Sequence, residues 1–204
     1  MRRPDDVKLI VVDFYGVLTL GSYKDTCRWI ARTYKLYYPY VYKIVYHKYF
    51  NRAAVGKITE QESLQGAVDE LGLPISWRQL RTKHLSFQRL NMPAYELFRR
   101  TQDRGYLILL LSKNTPEQFN EALRKLRIGH HFKHIINTYD LGLPKASPET
   151  MRYVLKRFRV RPNQVIMTDD QAFNLTAPRQ LGVRVILYRN FKQFKRQLEA
   201  ALHA

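Results

Sequence analysis

The chain has 204 residues, of which 45% are hydrophobic and 25% are charged, a composition typical of a soluble globular domain. No apolar run approaches the roughly 20 residues that a membrane-spanning helix needs, and the first residues lack the apolar region of a signal peptide. The only cysteine, Cys27, excludes an internal disulfide. Together these features predict a cytoplasmic protein with no membrane partner.

The net charge of +18 arises from 35 lysine and arginine residues against 17 aspartate and glutamate residues. Such an excess attracts anionic substrates or polyanions. The basic residues are dispersed over residues 22–57, residues 152–161 and the last 20 positions. This dispersion favours a solvated basic surface over a dedicated nucleic-acid site, and a nucleic-acid partner remains the alternative. The sequence carries no signal for an oligomeric state.

The predicted elements alternate along most of the chain. A strand is predicted over 7–13, and a mainly helical stretch follows from about 23 to 102. Further strands are predicted over 106–111, 133–137, 164–168 and 183–188, and helices over 116–127, 148–158, 172–181 and 191–202. Strands that alternate with helices of this length predict an α/β protein whose Rossmann-like parallel sheet is covered by helices on both faces.

Polar residues stand at or just after the ends of several predicted strands. Asp13 ends the first apolar run, Ser112 follows the second strand, and Asp169 and Asp170 follow the strand over 164–168. Lys145 lies in a loop marked by glycine and proline. Each of these residues alone is also typical of a turn, a cap or a solvated surface. Together, at one sheet edge, they make a set suited to phosphoryl chemistry: a nucleophile, a hydroxyl donor, a cation and metal ligands.

The same positions match four ordered motifs of a known family. The first motif is Asp13-Phe14-Tyr15-Gly16-Val17-Leu18-Thr19, and the others are Ser112, Lys145 and Asp169-Asp170 with Asn174. The chain resembles the haloacid-dehalogenase-like hydrolase superfamily, and is most similar to the subgroup with the epoxide hydrolase phosphatase domain and small sugar phosphatases. The resemblance covers nearly the whole chain. It implies a Rossmann-like core over 1–19 and 95–204, with a helical cap inserted at 20–94.

The resemblance also implies a phosphatase that uses Mg²⁺ and acts on a small phosphorylated substrate. Asp13 is then the nucleophile and forms an aspartyl-phosphate. The implied metal ligands are the carboxylates of Asp13, Asp169 and Asp170 with the backbone carbonyl of Tyr15.

The remaining implied roles concern the phosphoryl group and the loop beside it. Ser112 and Asn114 donate hydrogen bonds to the phosphoryl group, and Lys145 neutralises its charge. Asn174 orients the metal-binding loop. Two departures weaken the match: relatives often carry asparagine where this chain has Lys113, and they usually place a proline directly after the lysine at 145.

Tyr15 is the main departure from the family pattern. Phosphatases of this superfamily mostly carry a second aspartate there, which protonates the leaving alcohol and then activates water. Tyrosine, with a reference pKa near 10, is a poor base at pH 7. Three hypotheses follow: a phosphatase that manages without the second acid, a metal-free 2-haloacid dehalogenase, or a fold retained for binding or regulation after catalysis was lost.

The dehalogenase hypothesis is the weaker of the two catalytic ones. Those enzymes use an arginine about 30 residues past the nucleophile, where this chain has Lys43, although Arg28 or Arg32 could take its place in space. They also carry a serine-asparagine motif instead of the paired carboxylates at 169 and 170. The sequence therefore favours the phosphatase.

The segment over residues 34–50 contains seven of the 14 tyrosines, interleaved with basic residues. Such a pattern is typical of rings that stack on nucleic-acid bases, and equally of an amphipathic helix pair with hydroxyls that reach water. We expect it to pack within the cap or to line the substrate pocket, rather than to contact nucleic acid or a second subunit.

Overall fold

The structure, a computed structural model, describes residues 6–203. Its strands are β1 (Leu9–Asp13), β2 (Thr19–Leu20), β3 (Arg89–Leu90), β4 (Leu107–Ser112), β5 (His134–Asn137), β6 (Val165–Asp169) and β7 (Arg184–Leu187). Its α-helices are α1 (Tyr23–Thr33), α2 (Tyr38–Tyr42), α3 (Asn51–Ala53), α4 (Glu60–Glu70), α5 (Trp77–Ser86), α6 (Met92–Asp103), α7 (Pro116–Leu126), α8 (Thr138–Leu141), α9 (Pro148–Phe158), α10 (Thr176–Gln180) and α11 (Phe191–His203). A π-helix, Lys43–Phe50, joins α2 to α3, and 3₁₀ turns cover Pro162–Gln164 and Ala172–Leu175.

A five-stranded sheet forms the centre of the molecule, in the order β5-β4-β1-β6-β7, with every pair parallel. All five residues of β1 are buried, as expected for a central strand covered on both faces. Ile10 and Val12 contact the cluster beneath α6, α7 and α11, whereas Leu9 and Val11 contact the cluster beneath α9. This arrangement confirms the predicted α/β fold with a Rossmann-like parallel sheet.

The strand order decides where the polar strand ends meet. Because β1 lies between β4 and β6, the carboxyl ends of these three strands are neighbours at one edge of the sheet. Asp13 pairs in register with Leu111, one residue before Ser112, and Val12 pairs with Thr168, one residue before Asp169. The register therefore places Asp13 beside Asp169 and brings Ser112, one residue out of register, to the same edge of the sheet.

The helices over residues 23–86, called here the helical segment, have a hydrophobic cluster of their own. Ile30, Val41, Leu64 and Leu80 are among its fully buried members. The chain enters and leaves this segment next to the short antiparallel pair β2–β3, in which Thr19 faces Leu90. The predicted division into a core and a cap at 20–94 remains a proposal, and residues 1–5 and 204 of that core lie outside the described residues.

The predicted helix over 172–181 was wrong in detail. A 3₁₀ turn and the short α10 take its place, because the Asn174 side chain is bound to Asp169 and Pro178 removes a backbone donor. Two further corrections are small: Ser112 and Asp169 are the last residues of β4 and β6 rather than the residues that follow them. The short helix α8 and the pair β2–β3 were not predicted.

Gly21 provides a test of the connection between sheet and helical segment. Its φ is +86°, and a Cβ there would clash with the backbone carbonyl oxygen of Phe87. We expect Gly21→Ala to lower the free energy of unfolding by about 1–3 kcal/mol or more, measured by urea denaturation. The control is Gly129→Ala, where the nearest atom to a new Cβ is Leu123 Cβ at 4.0 Å. Equal losses in the two variants would contradict this account.

Candidate active site

Three carboxylates form a compact cluster at the carboxyl edge of the sheet. Asp13 ends β1, Asp169 ends β6, and Asp170 follows directly. One oxygen of each lies within 4.8 Å of the others. Burial and then the nearby charge of Asp169 raise the pKa of the Asp13 carboxyl well above its usual range, while Lys145 acts in the opposite direction.

Lys145 neutralises part of this cluster. Its ammonium group contacts Asp13 Oδ1 and lies 2.7 Å from Asp169 Oδ2, and its side chain is only 2% exposed. The two carboxylates outweigh the effect of burial and raise the pKa of Lys145. The loop before α9 thus supplies the cation that holds the nucleophile candidate and its neighbour together.

Asp169 is fixed by the loop that follows it. Asn174 Nδ2 donates to both carboxylate oxygens at 3.1 Å, and the backbone N–H of Gln171 donates to Oδ1 at 2.8 Å. Four donors from three residues therefore surround this buried carboxylate, once Lys145 is included. Asn174 makes the contacts that its predicted orienting role requires.

Asp170 differs from Asp169 because one of its oxygens remains free. Its Oδ2 accepts from Lys24 Nζ at 2.9 Å, whereas Oδ1 is buried without a hydrogen-bond partner among the described residues. Gly16, with φ +93°, lets this carboxylate approach, because a Cβ there would lie 2.6 Å from Asp170 Cγ. A free buried carboxylate oxygen beside two further carboxylates is a donor set that suits a hard divalent cation.

Ser112 and Asn114 lie beside Asp13 on the next strand end. Ser112 is fully buried, and its hydroxyl has no hydrogen-bond partner among the described residues. The Asn114 backbone N–H donates to Asn137 Oδ1 at 3.2 Å, and its side-chain Oδ1 accepts from the N–H of Thr115 at 2.8 Å. Asn114 lines a cavity that lies between the sheet edge and the helical segment.

Tyr15 points into the same cavity. Gln88 Nε2 donates to its hydroxyl at 3.4 Å. Burial raises the pKa of Tyr15 further above its ordinary value, so the phenol stays protonated at neutral pH. The side chain can therefore donate a hydrogen bond, but it does not supply a base.

This cavity, between the sheet edge and the helical segment, has a volume of about 50 Å³. At about 10–15 Å³ for each water, it holds roughly three to five water molecules, which is room for a small ligand. The tyrosine-rich stretch contributes Tyr42, Tyr46 and Phe50 to its wall, in agreement with pocket lining. Their rings stack along the helix, with centroids 4.9 and 5.3 Å apart.

Besides the tyrosines, five polar residues of the cavity were not predicted as site residues: Ser22, Lys24, His84, Lys113 and Gln171. Lys113 was noticed only as a departure from the family pattern, and Gln171 only as the residue after the paired carboxylates. Lys24 carries no local signal, because a lysine in the first turn of a helix is ordinarily solvated. Its partner Asp170 lies 146 positions away.

An open parallel sheet with reactive groups at its carboxyl edge defines a doubly wound α/β protein. A family model described as haloacid dehalogenase-like hydrolase matches residues 7–182, and the chain belongs to that family. The resemblance seen in the sequence is thereby confirmed. None of the helices within residues 6–203 has the length and apolar content needed to cross a membrane.

Curated relatives are distant and longer. The bifunctional epoxide hydrolase 2 of Sus scrofa is 25% identical over 128 residues, which cover 61% of this chain and 23% of that protein. The glyceraldehyde 3-phosphate phosphatase of Pyrococcus furiosus is 23% identical over 101 residues, which cover 49% of this chain and 42% of that protein. The matches thus span less than half the length of these relatives.

Solved structures share the fold. A HAD family enzyme from Bacteroides thetaiotaomicron, in complex with magnesium and inorganic phosphate, is 17% identical. It superposes with a TM-score of 0.70 over 90% of this chain and 94% of that one. Among the sequence relatives, a pyrophosphatase and a haloacid dehalogenase both match, so family membership alone does not separate these two reactions.

The charge balance of the cluster yields a stability prediction. Lys145→Met leaves Asp13 and Asp169 buried without their cation, so we expect a loss of about 3–5 kcal/mol at pH 7 in chelator. Without Lys145, which lowers it, the pKa of Asp13 rises further in the folded variant, so folded protein takes up a proton between pH 7 and pH 5 while unfolded protein does not. The loss should therefore shrink towards pH 5.

The matched control for this measurement is Lys156→Met, which removes an exposed lysine of α9. We expect that variant to unfold at the same urea concentration as the wild type at both pH values. A loss in Lys145→Met that is the same at pH 7 and pH 5 would contradict the proposed charge balance.

Proposed function

We propose that this protein is a Mg²⁺-dependent phosphatase of small phosphate monoesters, with Asp13 as its nucleophile. The observation that carries the proposal is the contact of the Asp13 carboxylate with buried Lys145, beside two more carboxylates within 4.8 Å. Phosphoryl transfer to a carboxylate needs a positioned nucleophile and positive charge on the phosphoryl oxygens. This sheet edge offers both.

The metal ligands proposed are the carboxylates of Asp13 and Asp170, with Asp169 beside them and the backbone carbonyl of Tyr15. The free Oδ1 of Asp170 supports this set. The bacterial HAD family enzyme solved with magnesium and phosphate shares the fold. When bound, Mg²⁺ would neutralise phosphoryl charge that otherwise repels a carboxylate nucleophile.

The reaction divides into two displacements at phosphorus. An oxygen of Asp13 bonds to phosphorus as the bond to the substrate oxygen breaks, which gives an aspartyl-phosphate and an alkoxide that takes a proton from solvent. Water then attacks that phosphorus and gives up a proton to solvent, which releases inorganic phosphate and restores the carboxylate. Lys145, the Ser112 hydroxyl and Asn114 are proposed to stabilise negative charge on the phosphoryl oxygens.

We propose that residues 20–94 act as a cap over this site, on a core of 1–19 and 95–204. Contacts that cross from the helical segment to the sheet edge support this role. Lys24 is bonded to Asp170, and the Tyr46 hydroxyl donates to Gln171 Oε1 at 3.3 Å. A closed cap excludes water during attack, which strengthens the electrostatic interactions inside.

Two rival functions remain, a dehalogenase and a protein that only binds. The dehalogenase requires an arginine near the nucleophile, yet none of the described residues that line the cavity is an arginine. Arg28 and Arg32 are exposed and lie around a different cavity with Trp29, and Lys43 is also exposed. The binding-only alternative is decided by the measurements below.

The first measurement is phosphate release from a panel of small phosphorylated metabolites, with Mg²⁺ and with chelator. We expect Mg²⁺-dependent release that falls by at least about 10³-fold in Asp13→Asn, because that variant lacks the nucleophile. Asp103→Asn, an exposed carboxylate of α6, is the matched control and should keep full activity. If folded wild type releases phosphate from none of these compounds, the proposed phosphatase activity is wrong and the binding-only alternative is favoured.

Because the Tyr15 phenol replaces an acid, we expect the rate of hydrolysis to depend strongly on the leaving group of the substrate. Without an acid to protonate it, a poor leaving group departs slowly, and general acid catalysis is worth about 10²–10⁴-fold. We therefore expect acetyl phosphate to be hydrolysed at least about 10²-fold faster than ethyl phosphate, which is of similar size. Tyr15→Asp should raise the rate on ethyl phosphate.

Tyr15→Phe is the control for the phenol itself. Since the hydroxyl is neither a base nor an effective acid, this variant should retain the wild-type ratio between the two compounds. Equal rates on acetyl phosphate and ethyl phosphate in the wild type would show that another group protonates the leaving oxygen.

A further inference from the structure

Lys113 is a cation of the cavity that has no anionic partner. Its Nζ donates to the Asn51 side-chain oxygen at 2.9 Å and to the Tyr46 hydroxyl at 3.1 Å, and both of these acceptors are neutral. No carboxylate within residues 6–203 lies at ion-pair distance from it. The other two lysines of the cavity, Lys24 and Lys145, are both paired with carboxylates.

The position of Lys113 makes this lack of a counter-ion costly. Burial, and after it the charge of Lys145, lowers the pKa of Lys113 to about 8. An ammonium group that is withdrawn from water is destabilising unless an opposite charge compensates it. The two groups that Lys113 contacts are neutral, and Asp13 and Asp169 act on it only from beyond ion-pair distance. A ligand in the cavity can therefore supply the counter-ion that these contacts do not.

The side chain is also held in place for such a ligand. The Nζ atom lies 4.8 Å from the centroid of the Tyr46 ring and 5.6 Å from that of Phe50, within the range of cation–π attraction. An ammonium group has three N–H donors, and two are used by Tyr46 and Asn51. One donor is therefore left for a group in the cavity.

Lys113 is held from the side of the helical segment, since Tyr46, Phe50 and Asn51 all belong to that segment. Lys145, in contrast, is held by the carboxylates at the sheet edge. Lys113 and Lys145 thus line one cavity but are held by different partners. When the phosphoryl group of a ligand occupies Lys145, Lys113 is left for a second anionic group of the same ligand.

We propose that Lys113 binds a carboxylate of the substrate, so that the preferred substrates are small phosphate monoesters that also carry a carboxylate group. This inference rests on the proposed function, because it assumes that the phosphoryl group lies at Asp13. A carboxylate is a small anionic group that organic phosphate monoesters commonly carry. It also accepts a charge-assisted hydrogen bond from the free N–H.

The test compares equilibrium binding of two probes that cannot be hydrolysed, by calorimetry at pH 7 with free Mg²⁺ held constant. Methylphosphonate carries only the phosphonate group, and phosphonoacetate adds a carboxylate. A charge-assisted hydrogen bond is worth about 1.5–3 kcal/mol, or roughly 10- to 100-fold in affinity. We expect wild type to bind phosphonoacetate tighter by that factor, and Lys113→Gln to lose the difference while it binds methylphosphonate as before.

Lys156→Gln is the matched control, since it removes one exposed positive charge and should leave both affinities unchanged. Lys113→Met, which keeps the length of the side chain, replaces Lys113→Gln in the assay if the latter does not fold. The same variants should lose the preference in kcat/KM for 2-phosphoglycolate over ethyl phosphate.

The outcomes of this test distinguish an error in the carboxylate site from an error in the proposed function. The carboxylate site would be overturned if wild type bound the two probes with equal affinity, or if Lys113→Gln lost affinity for both probes equally. Neither result would contradict the proposed phosphatase activity. The second of these results would place Lys113 against the phosphoryl group instead. If wild type binds neither probe, the proposed function itself fails, and the carboxylate site fails with it.

Discussion

The candidate site is built on the charge balance at the carboxyl edge of the sheet. The register of β1 and β6 places Asp13 and Asp169 side by side, and Asp170 joins them, so like charges are buried within 4.8 Å. Two carboxylates this close resist simultaneous ionisation, which is why burial and Asp169 raise the pKa of Asp13. Lys145 opposes this rise by bridging Asp13 and Asp169. The nucleophilic role proposed for Asp13 therefore depends on this lysine.

The helical segment takes part in the same balance. Lys24, from the first turn of α1, neutralises Asp170, so the position of the helical segment and the charge at the sheet edge are coupled. A divalent cation that binds Asp170 competes with this ammonium group for the carboxylate. The hydrophobic cluster of the segment fixes its helices independently of the sheet. The helical segment and the sheet are thus packed around separate hydrophobic clusters.

Family membership limits the chemistry without naming the reaction. The fold is shared by phosphatases and by dehalogenases, so the distinction has to come from individual side chains. The acidic cluster and the absence of arginine from the described cavity lining both favour phosphoryl transfer. Tyr15 stands where phosphatases mostly carry an acid, and its phenol stays protonated at neutral pH. The leaving-group dependence proposed for Tyr15 and the carboxylate proposed for Lys113 would each narrow the range of substrates.

The residue pattern was enough to predict the parallel sheet and most of the acidic residues at its edge. A buried parallel strand is a continuous apolar run, and the end of that run is visible in the sequence. Asp13, Ser112 and Asp169 could therefore be placed at strand ends before any contact was known. Local patterns were insufficient for residues 172–181, where the bonds from Asn174 to Asp169 tighten the chain into a 3₁₀ turn. Lys24 and Lys113 were identified as site residues only by the tertiary structure. One lysine among 35 basic residues has no local signal, and its role depends on partners that packing brings from distant parts of the chain.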